Sequence, residues 1–496
     1  MDITLANRIS EVCLAKYESL PKTGKPDETF EWTILSAIVL DRSKAQKEKS
    51  YDSSSELQVV ALGTGTKCLG GSELSSRGDL VNDSHAEVLA RRGFLRYLLE
   101  QIDAASEGQK QSIFKRHNLS ESVKFTLKEG HLFHFFTTHS PCGDASIFEA
   151  DCETASCEMP PEKKPRKEAL ANEEDIGSCI GASEDEKRVV GMTGGKLLQQ
   201  GPVGDSMAQT IGQVRTKPGR GIRTLSVSCS DKLARWNVLG IQGSLLMHLL
   251  DQPIYLESVV LCDGTDHSVA AIERAIWRRF DPWSAGILQA PFHRGCPAVF
   301  AANNGRMFKF RKNRKLPAGT GKYQPSPCGI IWCDVAVRSH EVEVAGRRHG
   351  VTKRKLATPA ARLQVSKIEL FSQFARTYHH SATTTSDAGK DALNNLVPLH
   401  RHLGQPAMPN EERSTAAISH PSATVLLAGS SELPVEGTPV RNGAPDFGKL
   451  SYTAVKVLSV EYARQWSTVR EKMFGSWTEK PDSLGQFFID ANAGRS

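Results

Sequence analysis

A chain of 496 residues with a net charge of +6 and 39% hydrophobic side chains can bury a large core, whether as two or three average domains or as one large catalytic domain with insertions. No run approaches the ~18 apolar residues of a membrane span, and the polar start Met1-Asp2-Ile3-Thr4 lacks a signal-peptide pattern, so we expect a soluble, intracellular protein with no membrane partner. Eleven cysteines, an odd number without small-scaffold spacing, argue for free thiols plus a metal site instead of a disulfide framework.

Taken in chain order, residues 1–30 read as an N-terminal helical extension and residues 31–481 as the main domain. Leu132–Thr138 is an apolar run of strand length that ends at His139-Ser140-Pro141, which puts Cys142 at a strand-to-helix corner. From 149 to 205 no aromatic residue occurs and thirteen acidic side chains face seven basic ones, so a disordered insertion is expected and the rest of the chain is the more basic part. Asp231–Leu250 has a buried helical pattern, and Pro253–Cys262 reads as the strand after it. Gly329-Ile330-Ile331-Trp332 reads as a buried strand, which makes Cys328 and Cys333 core thiols. Residues 379–446 again lack aromatics and are crowded with Ser, Thr, Ala, Pro and Gly, a second expected disordered insertion, and 482–496 reads as a flexible tail. Strand and helix alternate, so the fold class is α/β.

Three short segments carry the chemistry: Asn82-Asp83-Ser84-His85-Ala86-Glu87, Pro141-Cys142-Gly143-Asp144 and Ser228-Cys229-Ser230-Asp231-Lys232. One imidazole (His85) and two thiolates (Cys142, Cys229) would leave a tetrahedral zinc with its fourth position open to water, the arrangement of a catalytic site. Zinc brings the pKa of water toward neutrality. His-x-Glu with Pro-Cys matches the signature of zinc nucleobase deaminases, in which the glutamate, here Glu87, moves protons and does not ligate. The second cysteine of that signature normally follows closely, whereas Cys229 lies 87 residues beyond Cys142. Ser84-x-x-Glu87 also fits a capping box, which would give Glu87 a purely local role.

These words, with Ser228–Leu246 (SCSDKLARWNVLGIQGSLL) as the longest, resemble the adenosine deaminases acting on RNA, most closely the branch that acts on transfer RNA. The resemblance spans roughly residues 30–148, 212–375 and 447–481. It implies a cytidine-deaminase-like mixed sheet flanked by helices, with the two insertions looped out. The implied reaction is hydrolytic deamination of adenosine to inosine in tRNA, beside the anticodon at position 37 of alanine tRNA. Editing of double-stranded RNA, or RNA binding without catalysis, are the alternatives. The resemblance further implies a buried inositol hexakisphosphate held by Arg91, Arg92, Lys232, Arg235, Lys367, Lys456 and Lys480, with Asn82, Tyr452, Tyr462 and Trp477 as neutral partners. Seven convergent cations need such a polyanion if they are to stay charged inside a domain.

Arg215, Lys217, Arg220 and Arg223 surround a Lys-Pro-Gly-Arg-Gly loop that corresponds, by resemblance, to the loop with which editing enzymes invade a duplex. Those enzymes carry a glutamate between glycines where this chain has Arg220, which favours contact with phosphate or stacking on a base. Lys309–Lys315 (KFRKNRK) and Arg347–Lys355 (RRHGVTKRK) are further basic tracts that either track an RNA backbone or only solvate loops. The roughly 30 residues before the main domain are too few for double-stranded-RNA-binding domains, which favours a structured small RNA as partner. No obligate protein partner is expected. Pro160–Lys167 (PPEKKPRK) leaves nuclear and cytoplasmic residence both open.

Overall fold

The structure is a computed structural model that describes residues 3–489 except 46–55, 119–122, 150–188, 199–208, 219–223, 282–285, 313, 315–322, 395–439 and 442–443. Eight strands form the central sheet: β1 (Leu35–Asp41), β2 (Leu57–Thr64), β3 (Leu132–Thr137), β4 (Ser258–Leu261), β5 (Ala298–Ala301), β6 (Cys328–Cys333), β7 (His340–Val344) and β8 (Arg347–Arg348). Their order is β5-β4-β3-β1-β2-β6-β7-β8. β3, β4 and β5 run parallel, and every other pairing is antiparallel, so the sheet is mixed, as an α/β deaminase-like fold requires.

The middle strands are apolar on both faces because both are covered. Ile38 and Leu40 of β1 with Phe133 and Phe135 of β3 face helix α2 (Ala86–Ser106), whose Phe94, Leu98 and Ile102 are fully buried against them. Ala37 and Val39 of β1 with Phe136 of β3 face the other way, onto Ile9, Cys13, Leu14 and Tyr17 of helix α1 (Ile3–Ser19). The N-terminal helix is therefore a layer of the fold and not an appendage. Period-2 alternation sends neighbouring residues of one strand to opposite covers.

The remaining helices are α3 (Cys229–Leu239), α4 (Val269–Ile276), α5 (Lys367–Asn394), α6 (Tyr452–Leu458) and α7 (Val460–Val469). The helix expected over 231–250 ends early, at Gly240, whose φ of 79° only glycine adopts easily and which lies against the Gln242 side chain. The strand expected over 253–262 is confined to β4, Ser258–Leu261.

The parts of the expected insertions at 150–188, 199–208 and 395–439 lie outside the described residues. Their margins are packed: Val189–Gly191 pairs with Phe148–Glu149, Lys196–Leu197 pairs with Arg215–Thr216, and α5 continues through 379–383 with Ser381 buried. Ordered packing also runs past the expected limit at 481. Phe487 is buried and stacks on Tyr452 at 4.9 Å, with its edge toward Phe371. Aromatic-free sequence signals poor core-forming capacity, but backbone pairing at its borders needs no aromatic residue.

Candidate active site

The parallel strand β3 delivers Cys142 just beyond its C-terminal end, and the segment before α2 delivers His85. The N-terminal residue of α3 is Cys229. His85 Nδ1 lies 3.9 Å from the Cys142 sulfur and 3.7 Å from that of Cys229, and one ligand atom from each of the three residues falls within 4.8 Å of the others. The approach of the Pro-Cys-Gly-Asp turn to α3 requires Gly143. Its φ is 104°, and a Cβ there would meet Ser228 Oγ at 2.2 Å. Ser228 caps α3 by accepting from the Asp231 amide, and the free amide of Cys229 donates to the Cys142 sulfur at 3.3 Å. A helix N-terminus thus faces a thiolate.

A hydrogen bond from Cys229, with Lys217 and His85 nearby, holds the Cys142 thiol well below its usual range against the effect of burial, whereas burial and the Cys142 charge push Cys229 up. Glu87 is 1% exposed, and burial raises its carboxyl, with Cys142 adding to the effect. The N-cap of α2 is His85, so Ser84 and Glu87 do not form a capping box. Glu87 Oε2 is buried without a hydrogen-bond partner among the described residues, as a proton carrier awaiting substrate would be.

Behind the ligands runs a charged chain. Lys217, fully buried, donates to the Cys229 sulfur at 3.2 Å and to Asp83 Oδ1 at 2.9 Å, and Lys232 pairs with the other oxygen of Asp83. Burial opposes the Asp83 charge, but the two lysines and His85 hold its carboxyl well below the usual range. Lys232 also lines a cavity of about 200 Å³ together with Asn82, Arg91, Arg92, Arg235, Lys367, Trp477 and Lys480. Burial and mutual repulsion push Lys367 down to about 7, with Lys480, Arg92 and Lys456 as the repelling charges. Lys480 falls to about 8 through burial and the charges of Lys232 and Lys456, and Arg91, mainly through burial, to about 10. One nitrogen of Arg92 is buried without a hydrogen-bond partner among the described residues.

Residues 61–402 match the adenosine-deaminase (editase) domain family. The chain belongs to that family. This editase is 35% identical to the tRNA-specific adenosine deaminase 1 of Drosophila melanogaster, over 97% of this chain and 96% of the relative. It is 30% identical to the Homo sapiens protein of the same name, over 97% and 99% of the two chains. The Drosophila double-stranded RNA-specific editase Adar is 35% identical over only 49% of this chain and 32% of its own length. Full-length similarity lies with the first two.

The editase places most of the residues expected at the basic cavity on its wall. Tyr452, Lys456 and Tyr462 are not on that wall: Tyr462 is buried against Phe292, and Lys456 lies over the ring of Tyr452 while repelling Lys367 and Lys480. Two of the expected RNA contacts are corrected. Arg215 is fully buried, donating to the carbonyls of Gly195 and Thr210, and Lys217 is 1% exposed beneath the ligands. Neither faces an RNA surface, because each serves the interior charges that the sequence places on other elements. Arg220 and Arg223 lie outside the described residues.

Sequence reasoning did not single out Asp83, the hub of this network, or Thr193, whose hydroxyl accepts from the Gly143 amide at 3.1 Å. An aspartate next but one to a metal-ligand histidine was a signal for the first. Nothing in its acidic, aromatic-poor surroundings marked the second. Deleting 155–186 is expected to leave the deamination rate within about twofold, since that stretch has no aromatic residue and few apolar ones. Extending the deletion through Gly195 removes Thr193 and is expected to lower the rate about tenfold, the order of one buried hydrogen bond. Steady-state assays of the two deletions side by side check this.

Proposed function

We propose that the protein deaminates adenosine to inosine in tRNA, with zinc held by His85, Cys142 and Cys229. The observation that carries the reading is the convergence of these three side chains, with a buried Glu87 that has one oxygen without a partner among the described residues, in a chain similar along nearly its whole length to tRNA-specific adenosine deaminases. The donor set fits zinc: imidazole with two thiolates suits this metal, and three protein ligands leave a position for water. Bound there, zinc supplies Lewis-acid activation that makes water nucleophilic at neutral pH.

The chain's own residues do the rest. The Glu87 carboxylate takes a proton from water as the water oxygen bonds to C6 of the adenine and delivers that proton to N1; it then takes the proton of the new C6 hydroxyl and passes it to the amino group, which leaves as ammonia as C6=O forms. Water and adenosine are consumed, inosine and ammonia are formed, and no redox cofactor is required. Lys217 supplies the positive charge that balances Cys229 from behind, so the thiolates keep their charge when substrate excludes solvent. An anticodon-loop adenosine is already partly unstacked, which lowers the energy needed to present its base. Incubating the purified chain with unmodified tRNA and sequencing for inosine tests the reading, with inosine expected beside the anticodon of alanine tRNA. Conversion of a long duplex but not of tRNA would select the double-stranded-RNA alternative.

We also propose that the basic cavity holds inositol hexakisphosphate. Its support is the convergence of depressed lysines and an orphaned Arg92 nitrogen, which a polyanion would satisfy through charge-assisted hydrogen bonds. Without an anion the folded state resists protonating Lys367 and Lys480, so from pH ~10 down to ~7 the unfolded chain binds more protons and the fold loses stability. The bound anion reverses this. The rise in melting temperature given by added inositol hexakisphosphate to stripped protein is therefore expected to be largest near pH 7 and to shrink toward pH 10. No thermal shift at any pH would rule the polyanion out.

A further inference from the structure

Just before the central strand β1 stands an aromatic side chain that the chemistry above does not use. Trp32 lies in a two-residue strand, Glu31–Trp32, which pairs with Gln324–Pro325. Three residues on, Leu35 begins β1, where its amide donates to Thr138 Oγ1 at 3.0 Å and its carbonyl accepts from the Thr138 amide at 2.9 Å. Thr138 is followed by His139 and, three residues later, by Cys142. Ile34 accepts from Gly65, whose carbonyl in turn accepts from Ala86, the first residue of α2 after His85. Backbone hydrogen bonds thus tie the segment that follows Trp32 to the segments that carry His85 and Cys142.

Trp32 is partly exposed and outside the buried clusters that make up the core. Over it, 5.6 Å from the ring centroid, lies the ammonium of Lys312 from the KFRKNRK tract. That tract is not uniform. Lys309 pairs with Glu28, and Arg314 donates to the Glu28 carbonyl, so both serve the protein itself. Lys312 is exposed, and among the described residues no carboxylate pairs with it. Lys312 also repels the His139 ring, which burial first and this charge second push down to about 4, so the imidazole stays neutral at physiological pH. A partly exposed indole, a lysine over its ring and an imidazole that feels both this lysine and Cys142 offer a stacking platform with a phosphate anchor.

We propose that Trp32, Lys312 and His139 hold the nucleotide adjacent to the target adenosine, its base stacked on Trp32 and its phosphate on Lys312. The platform reads single-stranded RNA: a base that remains paired in a duplex cannot leave its stack to reach the indole. This gives the enzyme a preference for loop adenosines that is independent of the catalytic groups. The inference rests on the tRNA-deaminase reading, and the experiment separates the two.

The test uses the full chain, an unmodified anticodon stem-loop, and two versions of it made abasic at the nucleotide before or after the target. Wild-type conversion of the intact stem-loop secures the functional reading; no conversion overturns that reading and this one with it. With wild-type active, Trp32→Leu, which keeps apolar volume without a ring face, is expected to raise KM about tenfold with kcat within twofold, and Trp32→Phe to recover most of the loss. One of the two abasic stem-loops is expected to show the same tenfold loss with wild-type and no further loss with Trp32→Leu. Lys312→Ala is expected to raise KM about threefold and to flatten its salt dependence. Wild-type KM in Trp32→Leu, or equal losses by that variant on all three stem-loops, overturns the platform while leaving the function intact. If Trp32→Leu fails to fold, the wild-type abasic comparison and Lys312→Ala decide: no loss in either overturns the proposal.

Discussion

Glu87→Gln is expected to lower the rate of inosine formation by about 10³-fold or more while the protein keeps its full complement of metal. The substitution preserves the shape of a side chain that is 1% exposed and removes only its ability to carry a proton. Stability should hold or rise slightly, because a buried carboxyl with an unpartnered oxygen is itself a burden on the fold. Metal content, melting temperature and turnover measured on one preparation check the claim. Metal lost together with activity would mean that Glu87 supports the ligand cluster and does not shuttle protons.

Lys217→Met is expected to destabilise the fold by about 3–5 kcal/mol and to weaken metal binding about 10- to 100-fold. Among the described residues, Lys217 is the lysine that donates to both Asp83 and Cys229. Its removal leaves Asp83 with Lys232 and His85 to balance its charge and takes from Cys229 the ammonium that donates to its sulfur. Chemical denaturation and competition with a chelator measure the two effects. An RNA-contact role for Lys217 makes the opposite forecast: unchanged stability, a higher KM for tRNA and a shallower salt dependence. The pair of measurements therefore decides between the interior position and the surface role that its place in a basic, glycine-containing loop suggests.

The chain of contacts from the basic cavity through Lys232, Asp83 and Lys217 to Cys229 joins the proposed polyanion site to the metal ligands by adjacent ion pairs. Loss of the anion would leave Lys232 as one of several mutually repelling cations, so its pairing with Asp83 would be shared among more competitors. This gives a physical reason for a buried polyanion to matter to a reaction in which it takes no part.

Much of this site was legible in the chain. His85, Glu87, Cys142 and Cys229 stand in short words whose residue types have few other uses together, and the short apolar runs at Leu132–Thr137 and Cys328–Cys333 announce strands because they have the length and continuity of a strand covered on both faces. A metal site of this kind is written locally, since each ligand must sit at the end of a strand or the start of a helix to be aimed. The cations Arg91, Arg92, Lys232 and Arg235 were also local, at helical spacing on α2 and α3.

The tertiary structure alone decided which charges face inward. Arg215 and Lys217 stand two apart in one basic stretch, and nothing in their spacing separates a side chain that faces solvent from one sealed in the interior, as both are. Burial of a charge depends on whether an opposite charge arrives from a distant element, and here Asp83 arrives 134 residues away in sequence. The same holds for Thr193, drawn to Gly143 across the first insertion, and for the N-terminal helix, whose amphipathic face reads as an extension until both faces of β1 prove to need a cover. Sequence by itself determined the reacting groups, because chemistry restricts residue type; their electrostatic setting was decided only by folding, because pairing energy depends on distance in space and not along the chain.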